Sequence, residues 1–190
     1  MTVQFGWETL AKLRKEPNFT DLLTEHWKEL GVHKEAMPLD PDFAYMERAN
    51  ETNFFMVWAA RKDRRLIGYI AFWIKEHLHY KTVVTGVEDL YMLTAGERKG
   101  TVGYRLFSSV KEALKARGVK RIFLHEKWHY QQARHRENCV REARRRLLIP
   151  DEVSDETILA MLETYADGAL GKLFKRLGMT HTDNLWSQML

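Results

Sequence analysis

Apolar positions recur at helical spacing near the start of the chain: Leu10 and Leu13, then Leu22, Leu23, His26, Trp27 and Leu30. Steps of three and four bring side chains to one face of an α-helix, so the chain is expected to begin helical, with Thr20 as an N-cap and Gly31 as a stop. Asp40 followed by Pro41 has the form of another helix start, since proline is tolerated in a first turn. A helix is expected from about Pro41 to about Asn50, with Phe43 and Met46 toward the core. After Asn50 the character changes. Phe54 to Ala60 and Leu66 to Ile74 are rich in aromatic and β-branched residues and are joined by the charged turn Arg61 to Arg65, which predicts an antiparallel hairpin. A third run, Val83 to Leu93, follows the polar link His77 to Thr82 and again suits a strand. Val102, Leu106, Phe107, Val110, Ala113 and Leu114 mark one face of a helix ending at Gly118, and Val119 to Leu124 is a short apolar strand. Strand, glycine-containing loop, helix and strand make one βαβ unit.

From Trp128 to Leu148 the pattern is polar and helical, Pro150 breaks it, and Ser154 is placed to cap a helix bearing Ile158, Leu162 and Tyr165. Gly168 and Gly171 would each cost about 1 kcal/mol inside that helix, so a break is expected near Asp167, then a last helix ending at Gly178. A final strand is expected over about Asn184 to Leu190. A chain of 190 residues with 45% hydrophobic content can bury one substantial core, which makes a single domain over residues 1–190 the default. The longest apolar runs are too short to span a bilayer and the N-terminus lacks a signal pattern, so a soluble, cytoplasmic protein is expected. The lone Cys139 can form no internal disulfide.

The formal charge of +4 favours phosphate-rich ligands without choosing among CoA, nucleotides and nucleic acid. The local distribution says more. Arg134, Arg136, Arg141, Arg144, Arg145 and Arg146 crowd one stretch, opposed only by Glu137 and Glu142. By default such a run is the solvated face of an inserted helix; the alternative is an acidic or nucleic-acid partner at Arg134 to Arg146, although no base-reading motif accompanies it. Between a buried strand and a helix start, the stretch Asp89 to Phe107 places Arg98, Lys99, Gly100 and Gly103. Unpaired N–H groups of a helix's first turn form a ready anion site, and glycine lets a diphosphate approach the backbone closely.

That stretch resembles the acetyl-CoA motif of the GNAT superfamily, Arg/Gln-x-x-Gly-x-Gly/Ala after a strand, with Arg98, Thr101 and Gly103 in register. Thr101 replaces the first glycine, and Gly100 lies beside it. Glu25-His26-Trp27, Pro38 to Asp42 and His77 to Tyr80 are similar to segments of phage-encoded and prophage-associated GNAT proteins of unassigned acceptor. Leu173 to Met179 resembles the superfamily's last helix and turn, and Leu185 to Leu190 its last strand. The resemblance covers about residues 20 to 127 and 166 to 190; Trp128 to Tyr165 stands outside it as an Arg-rich helical insertion before the last helix.

The resemblance implies an α/β GNAT fold, with a central mixed, splayed β-sheet flanked by helices, and N-acetyl transfer from acetyl-CoA to an amine acceptor. It implies that the strand before the loop splays at a bulge and offers Tyr91, Met92 and Leu93 to the pantetheine. Arg98, Lys99, Gly100, Thr101, Val102 and Gly103 would then hold the diphosphate. A carboxylate on that strand would take the amine's proton, Asp89 first and Glu88 second, and Met92 or Leu93 would offer an N–H to the developing oxyanion. Neighbours in sequence point to opposite faces of a strand, so only one of the two carboxylates is expected on the acceptor side. Where many members carry a Tyr that protonates the leaving thiolate, this chain has Phe174, so Tyr165, Tyr91 or water would serve, or the thiolate would leave unprotonated, or CoA would bind without turnover.

His77 and His79 lie two apart and, on a continuing strand, would share a face with Tyr69 and Trp73 at the cleft mouth, as acceptor-side candidates. His26 and Trp27 fit core or capping roles better. His125-Glu-Lys-Trp-His129 matches H-E-x-x-H, a zinc-hydrolase pattern when it lies on a helix. Here it begins at a strand end, where the two histidines would not converge, so no metal is expected. The alternative function is a CoA-, nucleic-acid- or protein-binding GNAT-like chain with little or no turnover. Oligomeric state is left open by the sequence, with the insertion available as an arm for a homodimer.

Overall fold

A computed structural model describes residues 2–31, 34–125, 140, 144, 149–158, 173–174 and 176–179. They fall into two compact units, Met1–His125 and Glu126–Leu190. The first unit carries a five-stranded sheet in the order β1-β2-β3-β4-β5. Its strands are β1 (Val3–Glu8), β2 (Phe55–Lys62), β3 (Arg65–His77), β4 (Tyr80–Leu93) and β5 (Val119–Phe123). The first three pairings are antiparallel and β4 with β5 is parallel, so the sheet is mixed.

The chain begins as a strand and not as a helix. Val3, Phe5 and Trp7 alternate with Gln4, Gly6 and Glu8, and β1 pairs along β2 from Val3↔Lys62 to Glu8↔Val57. Two short helical pieces follow, α1 (Leu10–Leu13) and α2 (Phe19–Leu30). Thr9 caps α1 through its Oγ1, which accepts from Lys12 N at 3.2 Å. Helix α2 starts one residue before Thr20, behind Asn18, and stops at Gly31 as the sequence predicts. Helix α3 (Phe43–Glu51) is capped by Asp42, whose Oδ1 accepts from Tyr45 N at 2.8 Å, so the cap lies two residues beyond Asp40.

One face of the sheet packs against α1, α2 and α3 through Leu10, Leu13, Phe19, Leu22, Phe55, Val57, Tyr69 and Met92, with Phe43 and Met46 packed against that cluster. The other face carries α4 (Val102–Ala116), which buries Leu106, Phe107, Val110 and Leu114 and touches β1 and β5. Asp63 and Arg64 both take positive φ, 49° and 70°, as a tight two-residue hairpin turn requires. Among the described residues no helix is long and apolar enough to cross a membrane.

Asn50 joins the two layers. Only 3% exposed, it accepts from Leu10 N at 3.0 Å through Oδ1 and donates Nδ2 to Phe55 O at 2.8 Å. Truncation would strand two buried backbone groups. Asn50→Ala is expected to cost about 2–4 kcal/mol, read as a lower denaturation midpoint with an unchanged slope.

In the second unit, Val140 and Ile158 are buried together with Ile149 and Val153 packed against them. Ser154 caps a helical stretch over 155–158, its Oγ accepting from Thr157 N at 3.2 Å, as expected. Arg144 reaches Pro150 O at 2.8 Å, Val153 O at 2.6 Å and Asp155 Oδ1 at 2.8 Å. This arginine of the basic stretch therefore ties its own unit together. Gly178, with φ 73°, ends the helical turn that contains Phe174. The other arginines of the Arg134 to Arg146 stretch, and the strand expected over Asn184 to Leu190, lie outside the described residues.

Candidate active site

Strand β4 reaches the site through an irregularity. Ala71 of β3 faces Leu90 and Phe72 faces Glu88, so Asp89 is an extra residue in β4, a bulge. Simple alternation fails across a bulge, so Glu88 and Asp89 are not forced to opposite faces as the sequence pattern implies. On the other side, the parallel ladder with β5 runs only from Val84↔Val119 to Val87↔Phe123. From Glu88 onward the two strands diverge and their ladder ends.

Tyr91, Met92 and Leu93 form the end of β4, opposite Ile70, Tyr69 and Gly68. Thr94 N donates to Ile67 O at 2.9 Å, which sets the alternation: Met92 presents its backbone groups to β3, while Tyr91 and Leu93 present theirs to the open edge. The Tyr91 ring packs on Phe107 of α4 at 4.7 Å between centroids, and burial pushes its phenol up to about 12.

The chain then makes one 3-10 turn at Ala95–Glu97 and enters α4. Gly100 takes φ 86°, and nothing lies within 4 Å of the place its Cβ would occupy. Thr101 stands at the N-cap with ψ 3° and makes no side-chain cap bond, which leaves the first-turn N–H groups of Val102, Gly103 and Tyr104 without an acceptor from the cap side chain. An uncapped helix start entered through a glycine in the left-handed region fits a diphosphate.

The two cations of the loop differ. Lys99 is exposed. Arg98 donates Nε to Leu93 O at 2.7 Å and a terminal nitrogen to Glu29 Oε2 at 2.6 Å, with Glu25 Oε1 4.0 Å away. It fastens the loop to the end of β4 and to α2, and Glu29 offsets its charge. Neither carboxylate partner is legible from the loop itself.

At the mouth of the divergence Glu88 is 8% exposed. Its Oε2 accepts from the backbone N–H of His125 at 3.1 Å, and His125 Nδ1 lies 2.9 Å from Glu88 O. The ion-pair contact between Nδ1 and Oε2 is 3.4 Å. The hydrogen bond to Glu88 is the main cause holding the His125 imidazolium above its ordinary range, and the charge of exposed Asp89 adds to it. Sequence reasoning placed His125 in an H-E-x-x-H pattern and assigned it nothing; its position immediately past an apolar strand that follows the loop helix was the available signal. His129 lies outside the described residues.

The remaining candidates sit apart from this cluster. Strand β3 ends at His77, and Leu78 and His79 form the turn into β4. His77 accepts from His79 N through Nδ1 at 3.2 Å and packs on Tyr80 at 4.7 Å. Both histidines belong to the hairpin tip, several residues along β3 from Phe72, which faces Glu88. His26 is 5% exposed with Nδ1 3.1 Å from Tyr69 Oη, in keeping with a core role. Phe174 lies in the second unit and is half-buried.

Known proteins share this architecture. An aminoglycoside acetyltransferase from an uncultured soil metagenomic sample aligns over 100% of this chain and 99% of its own, at 14% identity and a TM-score of 0.59. Glucosamine-6-phosphate N-acetyltransferase from Arabidopsis thaliana aligns over 100% and 99%, at 12% identity and 0.59. A predicted acetyltransferase from Clostridium acetobutylicum, solved with acetyl-CoA, aligns over 99% and 96%, at 12% identity and 0.55. No curated protein matches at the level of sequence. The model of the acetyltransferase (GNAT) family matches residues 17–136, a span that takes in the bulged strand, the uncapped helix start and β5. With the fold and the sequence pattern in agreement over that span, the chain belongs to the GNAT acetyltransferase family, whose cosubstrate is acetyl-CoA.

Proposed function

We propose that this protein is an N-acetyltransferase that transfers the acetyl group of acetyl-CoA directly to an amine acceptor. The observation that carries the reading is the continuity of the open β4 edge past Val87 with the uncapped start of α4. Acetyl-CoA supplies an activated thioester. The N–H groups of Val102, Gly103 and Tyr104, with Lys99, Gly100 and Thr101, hold its diphosphate, while Arg98 keeps the loop in shape. Tyr91 and Leu93 offer backbone groups to the pantetheine in the manner of an added strand. Since Leu93 faces the open edge and Met92 faces β3, the Leu93 N–H is the better placed donor for the oxyanion.

The acidic end of β4, Asp89 and Glu88, supplies the negative charge that favours removal of the amine's proton. His77 and His79, at the hairpin tip, would touch an acceptor large enough to extend along β3. Tyr91, kept protonated by its burial, can serve as the hydrogen donor that Phe174 cannot be. Phe174 also favours a second reading, a CoA-binding or nucleic-acid- or protein-binding GNAT-like protein with little or no turnover. The acceptors named for the neighbours, an aminoglycoside and a sugar phosphate, set the first classes to try. A cytoplasmic site of action fits a CoA-dependent reaction.

The test is calorimetric titration of acetyl-CoA, followed by CoA release with kanamycin, glucosamine 6-phosphate and a lysine-containing peptide. Micromolar binding that Lys99→Ala weakens several-fold is expected. No binding by the unaltered protein overturns the reading. Binding without CoA release favours the second one.

A further inference from the structure

Glu88 is the only buried carboxylate among the described residues, and beyond its place in the β3–β4 ladder its Oε2 and its backbone carbonyl both meet one residue, His125. A backbone carbonyl can only accept. The 2.9 Å contact between His125 Nδ1 and Glu88 O therefore places the ring proton on Nδ1 and leaves the lone pair of the neutral ring on Nε2. The backbone N–H of His125 is held at the same time by Glu88 Oε2, so the residue is anchored at two points, its backbone through N–H and its ring through Nδ1. Its side chain keeps 44% exposure against 8% for that of Glu88. Of the two, the imidazole is the group an amine can reach.

We propose that His125 is the group that accepts the amine's proton, at Nε2, and that Glu88 is its positioning residue. This assignment rests on the acetyltransferase reading and sharpens it. The position suits the task, because His125 follows β5 just past the last ladder pair, Val87↔Phe123, where the strands part. The amine proton moves to Nε2 as the nitrogen forms its bond to the acetyl carbon. The carbon–sulfur bond breaks with its electron pair leaving on sulfur, the thiolate takes a proton from Tyr91, which is reprotonated from solvent, and the imidazolium returns its proton to solvent before the next turnover.

The charged groups that face the ring are Glu88 and Asp89 on β4, both of which stabilise the imidazolium. On β5, Arg121 lies over the Phe123 ring at 4.5 Å. Glu88 is a weaker candidate for direct proton transfer, since its Oε2 already accepts from His125 N and the carboxylate is enclosed.

The full-length chain and its His125→Ala, His125→Gln and Glu88→Gln variants serve as the test, with acetyl-CoA affinity measured by calorimetry. CoA release is followed with the three amines named above, and His125 is titrated by nitrogen-resolved NMR. Expected are an Nδ1–H tautomer, a fall of about 100-fold or more in kcat for both His125 variants, and acetyl-CoA affinity within twofold of the parent. In Glu88→Gln the NMR-titrated pKa of His125 and the acid limb of kcat/KM should fall together. An Nε2–H tautomer, His125 variants within threefold of parental kcat, an acid limb that stays put while the ring pKa moves, or no CoA release above the protein-free control would each overturn the assignment. Loss of acetyl-CoA binding in the parent would instead overturn the acetyltransferase reading, which separates the two failures.

Discussion

Thr101→Asp is expected to weaken acetyl-CoA binding about 100-fold or more while leaving the folded chain as stable as before or slightly more so. Thr101 stands at the head of α4 and makes no cap bond, so the first-turn N–H groups face outward with the positive end of the helix dipole. A carboxylate there occupies the position an anionic ligand needs. Two like charges about 5 Å apart at an effective dielectric constant of about 20 repel by about 3 kcal/mol. That energy corresponds to roughly a hundredfold change in affinity. The same carboxylate is favourable to the helix itself by about 0.3–1 kcal/mol. Calorimetric titration beside a thermal melt reads both quantities from one sample. Unchanged affinity in this variant would mean that the diphosphate is held somewhere other than the start of α4.

Gly68→Ala is the second large effect, and it acts on the opposite edge of the same strand. Gly68 faces Leu93 across the β3–β4 pairing. A Cβ at this position would lie 2.6 Å from Leu93 Cδ2 and 3.1 Å from Leu93 Cα, and would also meet Met92 O. Two of those three neighbours are backbone atoms of β4, which cannot rotate away as a side chain would. The end of β4 would have to shift from β3, at the cost of ladder bonds and of packing around Met92, which is 2% exposed. A loss of about 2–4 kcal/mol is expected in chemical denaturation. Because the displaced backbone is the segment proposed to meet the pantetheine, acetyl-CoA affinity should fall about tenfold in the fraction that remains folded. A destabilised variant with intact affinity would detach Leu93 from the cosubstrate site.

Thr101 and Gly68 illustrate how unevenly the site could be read from the chain. The loop was legible because glycine, cations and a helix start are local signals: Gly100 takes the positive φ that glycine favours, and α4 begins where the apolar periodicity changes. Arg98 was legible as a motif position but not in its role. The partner that offsets its charge, Glu29, lies 69 residues earlier, on a helix brought there by the packing of α2 against the sheet.

The strands β2 to β5 and helices α3 and α4 follow from the sequence by itself, because each buries a continuous or periodic apolar face and local pattern is a record of burial. Strand β1 does not, since a six-residue edge strand alternates too briefly to compete with the helical spacing of Leu10 and Leu13 beside it. The character of the candidate site, a loop of glycines and cations after an acidic strand, was also in the residues. Which groups act on each other was decided only in three dimensions. The bulge at Asp89 exists through pairing with β3, and it cancels the alternation that a lone strand would impose on Glu88 and Asp89. His125 meets Glu88, 37 residues away, because β5 lies parallel to β4 and their ladder ends one pair before the carboxylate. A strand's own pattern specifies which of its faces is buried, whereas its neighbour, the register, and the point at which two strands part are set by the packing of the whole sheet.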